Sequence, residues 1–398
     1  MFGKSTPARI PHIQLSGTGS VHLAVPAVVR SKESPMTPSP LRTAGRLRWR
    51  PTLAALSAAA LLTACGGGGT DGKAASSGSG GGGEVQGGVQ DVTFLNILPL
   101  ESLTFSPELV ASSCGYFKKH NLNVTFQTTQ GSAQAIQTVI AGGALITRVG
   151  DMEDQQAVGG KDAPLVNVGQ INKTGTIRFI SDKSDPLKSP EDIKGRLMGT
   201  PSAGGTSEII LKLVAAKAGI KPDDVKTQVV GLAPGVFDLV KSGRIGGYIV
   251  SLDTSVALEQ QQPDAVVYNP SDDVKSGGQV YVTSKDQAKD PAKQEQLRSY
   301  LAAIKEAVQS IVKDKDNGYA ETIKCLSSHN IPTLKDPAVA KGSLDKYVES
   351  WTAAGDKEIA RTEAAQWSTV YKEMSGSGFI PEGKDPSKWY TNDFAPKS

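Results

Sequence analysis

Beyond its first 64 residues the sequence has no apolar run approaching the roughly 20 residues needed to cross a bilayer, so its body contains no pore or permease span. Its 398 residues include only three cysteines and four histidines, of which His120 and His329 alone lie past residue 64. There is no Cys/His pair at metal-ligand spacing, no GxSxG nucleophile elbow and no phosphate-cradling Walker loop. The titratable constellation that acid–base or nucleophilic catalysis needs is therefore missing, which argues against an enzyme. An excess of positive charge is missing too, despite the formal net charge of +3. The first 64 residues hold Lys4, Arg9, Arg30, Lys32, Arg42, Arg46, Arg48 and Arg50 against one acid, Glu33, which leaves 35 bases and 39 acids for the remainder. Without clustered positive charge to release counterions from phosphates, nucleic acid is excluded as a partner.

What is present begins with an address. Arg42, Arg46, Arg48 and Arg50 precede an Ala/Leu-rich stretch from Leu53 to Leu62, too short to span a membrane but matching a secretory hydrophobic region. Leu62-Thr63-Ala64-Cys65 follows and resembles the bacterial lipobox, in which the thiol is acylated and the chain is cut just before it. Residues 1–64 are thus expected to be a signal peptide, with the true start at Met36, and Cys65 the lipidated mature N-terminus. The competing account is an Ala-rich buried helix with an incidental cysteine, but Gly66 to Gly69 and a Gly/Ser tract to Gly88 follow directly. Residues 65–90 read as the lipidated cysteine and a flexible tether, with palmitate-type acyl chains holding the protein at about 0.8 kcal/mol per buried methylene. Setting Cys65 aside leaves Cys114 and Cys325, either one disulfide of an oxidising compartment or two free buried thiols.

With 38% hydrophobic and 21% charged residues the chain can bury the cores of about two domains. From Val92 onward short apolar runs alternate with amphipathic stretches, the pattern of an α/β fold. Strands are expected at 92–98, 123–128, 144–149, 165–170, 177–181, 197–200, 227–230, 247–250, 265–268 and 279–283. Helices at 132–141 and 207–218 place Ala135, Ile136, Val139 and Ile140, and Ile210, Leu211, Val214 and Ala218, on single faces. After Asp290 the sequence turns helical, with Pro291 in a first turn and Leu297, Leu301, Ile304, Val308, Ile311 and Val312 at helical spacing. Further helices are expected at 339–351 and 358–374. The chain is read as two lobes: 91–181 plus 279–398 for lobe one, 182–278 for lobe two.

Gly115-Tyr116-Phe117-Lys118-Lys119-His120-Asn121-Leu122-Asn123-Val124 resembles the "G-[YF]-F-x-K-x-x-L-x-V" signature of the SsuA/THI5-like (NMT1-like) periplasmic binding proteins. Gly131-Ser132-Ala133 and Ala141-Gly142-Gly143, Ser189 to Gly195, Gly204 to Ser207, Ala218-Gly219-Ile220 and Leu239 to Tyr248 resemble further family segments in the same order. Two family aspartates are absent, at Ala144 and Gly247. The resemblance runs from about Val92 to Thr283. It implies the type II periplasmic-binding-protein fold, two α/β lobes joined by two crossovers, with a helical C-terminal part here, and a ligand in the cleft. It further implies an ABC importer component at the extracytoplasmic face of the cell membrane, with permease and ATPase as partners, no cofactor, no metal and a monomeric state.

In open α/β sheets ligands bind beyond the carboxyl ends of strands, where helix N-termini present free N–H groups. Gly131-Ser132 and Gly150-Asp151 in lobe one, and Ser202 to Ser207 with Gly205 and Thr206 in lobe two, are candidate ligand-binding turns. Ser132, Asp151 and Thr206 equally suit the role of helix N-caps. Gln170 at a strand end and Asp253 before a helix are expected to face the cleft, the latter also a candidate cap. The loop after the first strand offers Leu100, Glu101, Ser102 and Phe105 as walls, Phe105 being also a candidate core residue. Arg148 lies within a strand, either in the cleft or solvated at a lobe edge; without a cleft arginine, sulfonate and nitrate lose their bidentate partner. Among the family's ligand classes of sulfonate, nitrate, pyrimidine or thiamine precursor, the residues favour a neutral or amine-bearing nutrient. Two other functions remain open at this point. One is a ligand-sensing lipoprotein with the same anchor and cleft; the other is the pyrimidine-synthesising branch of the family, whose cysteine-rich motif this chain lacks.

Overall fold

The structure, a computed structural model, describes residues 88–275 and 278–397; the expected signal peptide, Cys65 and the tether up to residue 87 lie outside the described residues. All ten expected strands form: β1 (Gln90–Asn96), β2 (Leu122–Thr128), β3 (Ile146–Gly150), β4 (Leu165–Asn172), β5 (Ile177–Asp182), β6 (Leu197–Thr200), β7 (Lys226–Val229), β8 (Gly247–Ser251), β9 (Ala265–Tyr268) and β10 (Gln279–Ser284). They build two five-stranded sheets, ordered β2-β1-β3-β10-β4 and β7-β6-β8-β5-β9. β1 runs parallel to β2 and β3, and β6 parallel to β7 and β8, while β10 and β5 run antiparallel to both their neighbours. Strands covered on both faces are buried at every position rather than at alternate ones, as β3 and β8 are throughout, with the polar Thr147 and Arg148 of β3 hydrogen-bonded inside.

The chain leaves the first sheet between Asn172 and Ile177 and returns between Tyr268 and Gln279, giving two α/β lobes joined by two crossovers. One strand changes its expected lobe. β5 was assigned with residues 91–181 but pairs with β8 and β9, in the second sheet. The chain is anchored where it leaves the first sheet, since the Lys173 N–H donates to the Ser350 carbonyl at 3.0 Å and the Lys173 ammonium donates to the carbonyls of Gln170 and Arg361, and β5 then takes its partners from the second sheet. β1 also starts at Gln90, within the stretch expected to be tether.

The helices are α1 (Ser106–Ser113), α2 (Tyr116–Lys119), α3 (Ser132–Ile140), α4 (Asp151–Gln155), α5 (Thr206–Lys217), α6 (Phe237–Lys241), α7 (Leu252–Gln261), α8 (Pro291–Lys313), α9 (Ala320–Leu326), α10 (Pro337–Thr352) and α11 (Ala364–Gly376). α8 starts where expected because the Asp290 carboxylate accepts the Ala292 and Lys293 N–H groups and Pro291 fills the first turn, where no donor is needed. Its stripe of Leu297, Tyr300, Leu301, Ile304, Val308 and Ile311 packs on the first sheet, with Tyr300 stacked on Phe94 at 5.7 Å. α11 begins later than the expected residue 358, since Ala360 adopts φ 60°, a left-handed conformation that ends any helix before it.

Cys114, at the end of α1, and Cys325, in α9, are joined as a disulfide, with Cα atoms 5.7 Å apart. The bridge closes a loop spanning 211 residues. Replacing both cysteines by serine is expected to lower the unfolding free energy by about 2–5 kcal/mol. Urea melts of the two proteins check this, and coincident midpoints would show that the bridge contributes nothing.

Candidate ligand-binding cleft

Each sheet reverses its strand order once next to its first strand, between β1 and β3 and between β6 and β8. Such points leave a crevice at the strand ends because the flanking connections depart to opposite faces. Here the two crevices face each other. The segment after β1, the β3–α4 turn, the β6–α5 loop and the end of β8 all line one cavity of about 70 Å³. Both crossovers border it, through Thr176, Ile177, Gly278 and Gln279. A second cavity of about 260 Å³ shares Leu98, Pro201 and Leu232 with the first and extends to Pro332 and Thr333.

Of the residues expected to contact ligand, Phe105, Ser132, Gly150, Ser202, Gly205, Thr206 and Ser207 line the first cavity, and Glu101, Ser102 and Asp253 the second. Gly131 sits opposite Ser202, whose Cβ lies 3.5 Å from the position of a Cβ on the glycine. Leu100 packs instead on the first-sheet core. Asp151 lines neither cavity. Its Oδ2 accepts the Gly278 N–H at 2.9 Å and its own N–H donates to the Gly278 carbonyl at 3.1 Å, so it pins the return crossover. Gln170 is similarly occupied, donating to Gln366 Oε1 at 3.0 Å and accepting the Glu363 N–H.

Asp253 is in the expected place but its carboxylate is spent on the protein. Only 1% exposed, it accepts hydrogen bonds from the Ser102 hydroxyl at 3.0 Å, the Leu103 N–H at 3.0 Å, the Tyr347 hydroxyl at 3.1 Å and the Thr333 hydroxyl at 3.4 Å. It therefore ties α7 of the second lobe to the β1 loop and α10 of the first. Burial, and then Asp253, push the Tyr347 phenol well above its ordinary value, keeping it a donor. Arg148 is neither in the cleft nor solvated. Its Nη1 donates to both oxygens of Glu108, at 3.0 and 2.9 Å, and its Nη2 to the Thr104 carbonyl at 2.8 Å. The guanidinium lies 4.6 Å from the centre of the Phe105 ring, so this buried pair supports the apolar wall from behind.

Glu153 is the residue that sequence reasoning missed. It lies on α4, lines the first cavity and is 7% exposed. One carboxylate oxygen accepts the Gly150 N–H at 3.0 Å within its own lobe, and the other accepts the Thr206 N–H at the start of α5 in the opposite lobe. The Ser132 hydroxyl favours its charged form. Burial raises the Glu153 carboxyl above the usual range, and these hydrogen bonds pull it back. The packing is tight: a Cβ on Gly205 would stand 2.8 Å from Glu153 Oε1, and one on Gly150 would overlap the Thr206 side chain. The Gly150-x-x-Glu153 spacing at a strand-to-helix turn, with the N3 acid reaching back to the cap, was the signal available in the sequence.

Next to Glu153, Asp154 is fully buried and neither of its oxygens has a hydrogen-bond partner. Burial, then Asp151 and Glu153, push its carboxyl well above the carboxylate range. A carboxyl whose folded value is raised contributes its stability below its unfolded value, near 4, and loses it as pH rises towards the folded one. Asp154→Asn is therefore expected to be more stable than the parent at pH 8, with the gain shrinking as pH falls to about 4. Thermal melts across that range check this; a variant destabilised equally at every pH would contradict it.

Comparison with known proteins follows the same lines. Residues 102–317 match the family model described as NMT1/THI5 like. The riboflavin-binding protein RibY of Chloroflexus aurantiacus is 23% identical over 341 residues, covering 78% of this chain and 88% of RibY. A solved structure from Bordetella bronchiseptica RB50 superimposes with a TM-score of 0.64 at 21% identity, covering 76% of this chain and 95% of the other. The alkanesulfonate-binding protein SsuA from Xanthomonas axonopodis pv. citri, bound to MOPS, gives 0.57 at 15% identity, with 76% and 97% covered. The likeness establishes the architecture as the type II periplasmic-binding-protein fold.

Proposed function

Because the chain belongs to the NMT1/THI5-like family, we propose that it is the extracytoplasmic solute-binding lipoprotein of an ABC importer. It captures a small organic nutrient between its lobes and delivers it to a permease with its ATPase. The observation that carries this reading is the convergence of four strand-end segments, two from each sheet, on one cavity bordered by both crossovers. Such a site closes by hinge motion, and a ligand that touches both lobes favours the closed arrangement by its differential affinity for it. The importer would read that arrangement. The chain acts as a monomeric trap, without cofactor and without bond chemistry, in keeping with relatives whose names describe binding.

In this reading Phe105, Ser132, Gly150, Ser202, Gly205, Thr206 and Ser207 form the ligand contacts, and Glu101 and Ser102 border the larger neighbouring space. Residues 1–64 direct export, Cys65 carries the acyl chains that hold the protein at the outer face of the cell membrane, and the Gly/Ser tract lets the body move above it. Cys65→Ala is expected to shift the protein from the membrane to the soluble fraction on fractionation of producing cells. A protein that stays with the membrane would remove the anchor.

A thermal-shift screen of the protein against sulfonates, nitrate, aminopyrimidines, flavins and amines tests the capture function. Ligand at about a hundred times its dissociation constant adds about 2.7 kcal/mol of stability. Gly150→Val keeps a strand-compatible backbone, φ −70°, but sets its side chain against Thr206 across the cleft. It is expected to weaken that ligand at least tenfold, about 1.4 kcal/mol; unchanged affinity would place the ligand elsewhere.

A further inference from the structure

The start of α5 is where a captured anion would be held, because a twelve-residue helix presents unpaired N–H groups and a partial positive charge at that end. In this chain the first of those donors is already taken by an acid, and so is one in the loop just before the helix. The Thr206 N–H donates to Glu153 from the opposite lobe, and the Gly204 N–H donates to Glu208 Oε2 at 2.9 Å. Nothing fits between Glu153 and the loop, since Gly205 has room only for a hydrogen on the side facing the carboxylate.

The charge around the cavities adds a second, independent observation. Among the described residues no lysine, arginine or histidine lines either one, whereas Glu153, Glu101 and Asp253 do; a neighbouring cavity of about 390 Å³ that Ser132 and Glu153 also border has Lys161 in its wall, beside Asp162. The nearby buried ammonium of Lys173 is spent on two backbone carbonyls, and the Arg148 guanidinium on Glu108. A sulfonate or nitrate entering this space would meet no cation, a capped helix terminus and a buried carboxylate.

We propose that Glu153 determines the specificity of the cleft: by placing the chain's own carboxylate on the α5 N-terminus it excludes anionic solutes, and the cleft takes an uncharged or cationic organic molecule whose N–H or O–H groups face Glu153. This rests on the solute-binding function proposed above and narrows its ligand class. Glu153 is here both the cross-lobe acceptor and the acceptor for the ligand's donors, with Ser132, Ser202 and Ser207 as adjustable partners around it.

Calorimetric titration of the purified full chain with ethanesulfonate, nitrate, 4-aminopyrimidine and tyramine tests this, with circular dichroism to confirm that each variant is folded. The unaltered protein is expected to bind 4-aminopyrimidine or tyramine and to hold both anions no tighter than about 10 mM. Glu153→Gln is expected to gain at least tenfold for ethanesulfonate or nitrate and to lose at least tenfold for the amine. Glu153→Asp keeps the charge and is expected to stay closed to anions. Tight binding of either anion by the unaltered protein, undiminished by its Glu153, would overturn the inference and leave solute capture standing. A gain of anion binding by Glu153→Asp equal to that of Glu153→Gln would overturn it too, since shape and not charge would be the cause. Failure of every probe to bind any of the three proteins would overturn this inference too, since replacing Glu153 would then open the cleft to no anion, while solute capture itself is decided by the wider thermal-shift screen.

Discussion

When two α/β lobes close on each other, the N–H groups at the start of α5 are taken out of water and must find an acceptor, since an unpaired buried donor costs as much as a lost hydrogen bond. Glu153 supplies it from the opposite lobe. Much of the local sequence follows from that contact. Gly150 and Gly205 are small because Thr206 and the carboxylate occupy the space their side chains would need, and the Ser132 hydroxyl helps to hold the acid in place. Burial works against the charged carboxylate, so the contact stands only while these donors surround it.

Asp253 forms a second link between the lobes, on the other side of the cleft, where four donors from the β1 loop, the Thr333 segment and α10 meet one carboxylate. The two acids thus divide one task. Each is buried without a cation beside it and accepts from hydroxyl and amide donors, those of Asp253 coming from the facing lobe and those of Glu153 from both lobes. Behind them the Arg148–Glu108 pair, joined by the Tyr281 hydroxyl at 2.6 Å, makes the floor of lobe one rigid. Links made of hydrogen bonds to desolvated acids are each modest in net strength, which suits a cleft that must also open.

The strands and the long helix α8 were legible because most strands read as short apolar or β-branched runs between turn residues and α8 carries both its cap and its stripe locally. The loop glycines and serines of the cleft were legible for a similar reason: close approach and adjustable donors leave a compositional trace. Side-chain roles were not. Asp151 follows β3 as expected, while Gln170 lies two residues inside β4 and Asp253 in the first turn of α7; what they bond, namely Gly278, Gln366 and the Ser102–Tyr347 set, lies roughly 90 to 200 positions away in sequence and leaves no local mark. The same holds for the transfer of β5 to the second sheet, which depends on pairing with β8 and β9. Glu153 was hidden among the acids of a single turn, Asp151, Glu153 and Asp154, whose three different surroundings only the fold separates.

The link between Glu153 and α5 is best tested by the distance between the lobes in solution. Spin labels at Gln137, on α3 of the first lobe, and Lys221, after α5 of the second, are both on exposed positions. Pulsed electron resonance of the ligand-free chain is expected to show a short-distance population that shrinks when Glu153 is replaced by alanine. Identical distance distributions for the two proteins would mean that the carboxylate does not hold the lobes together.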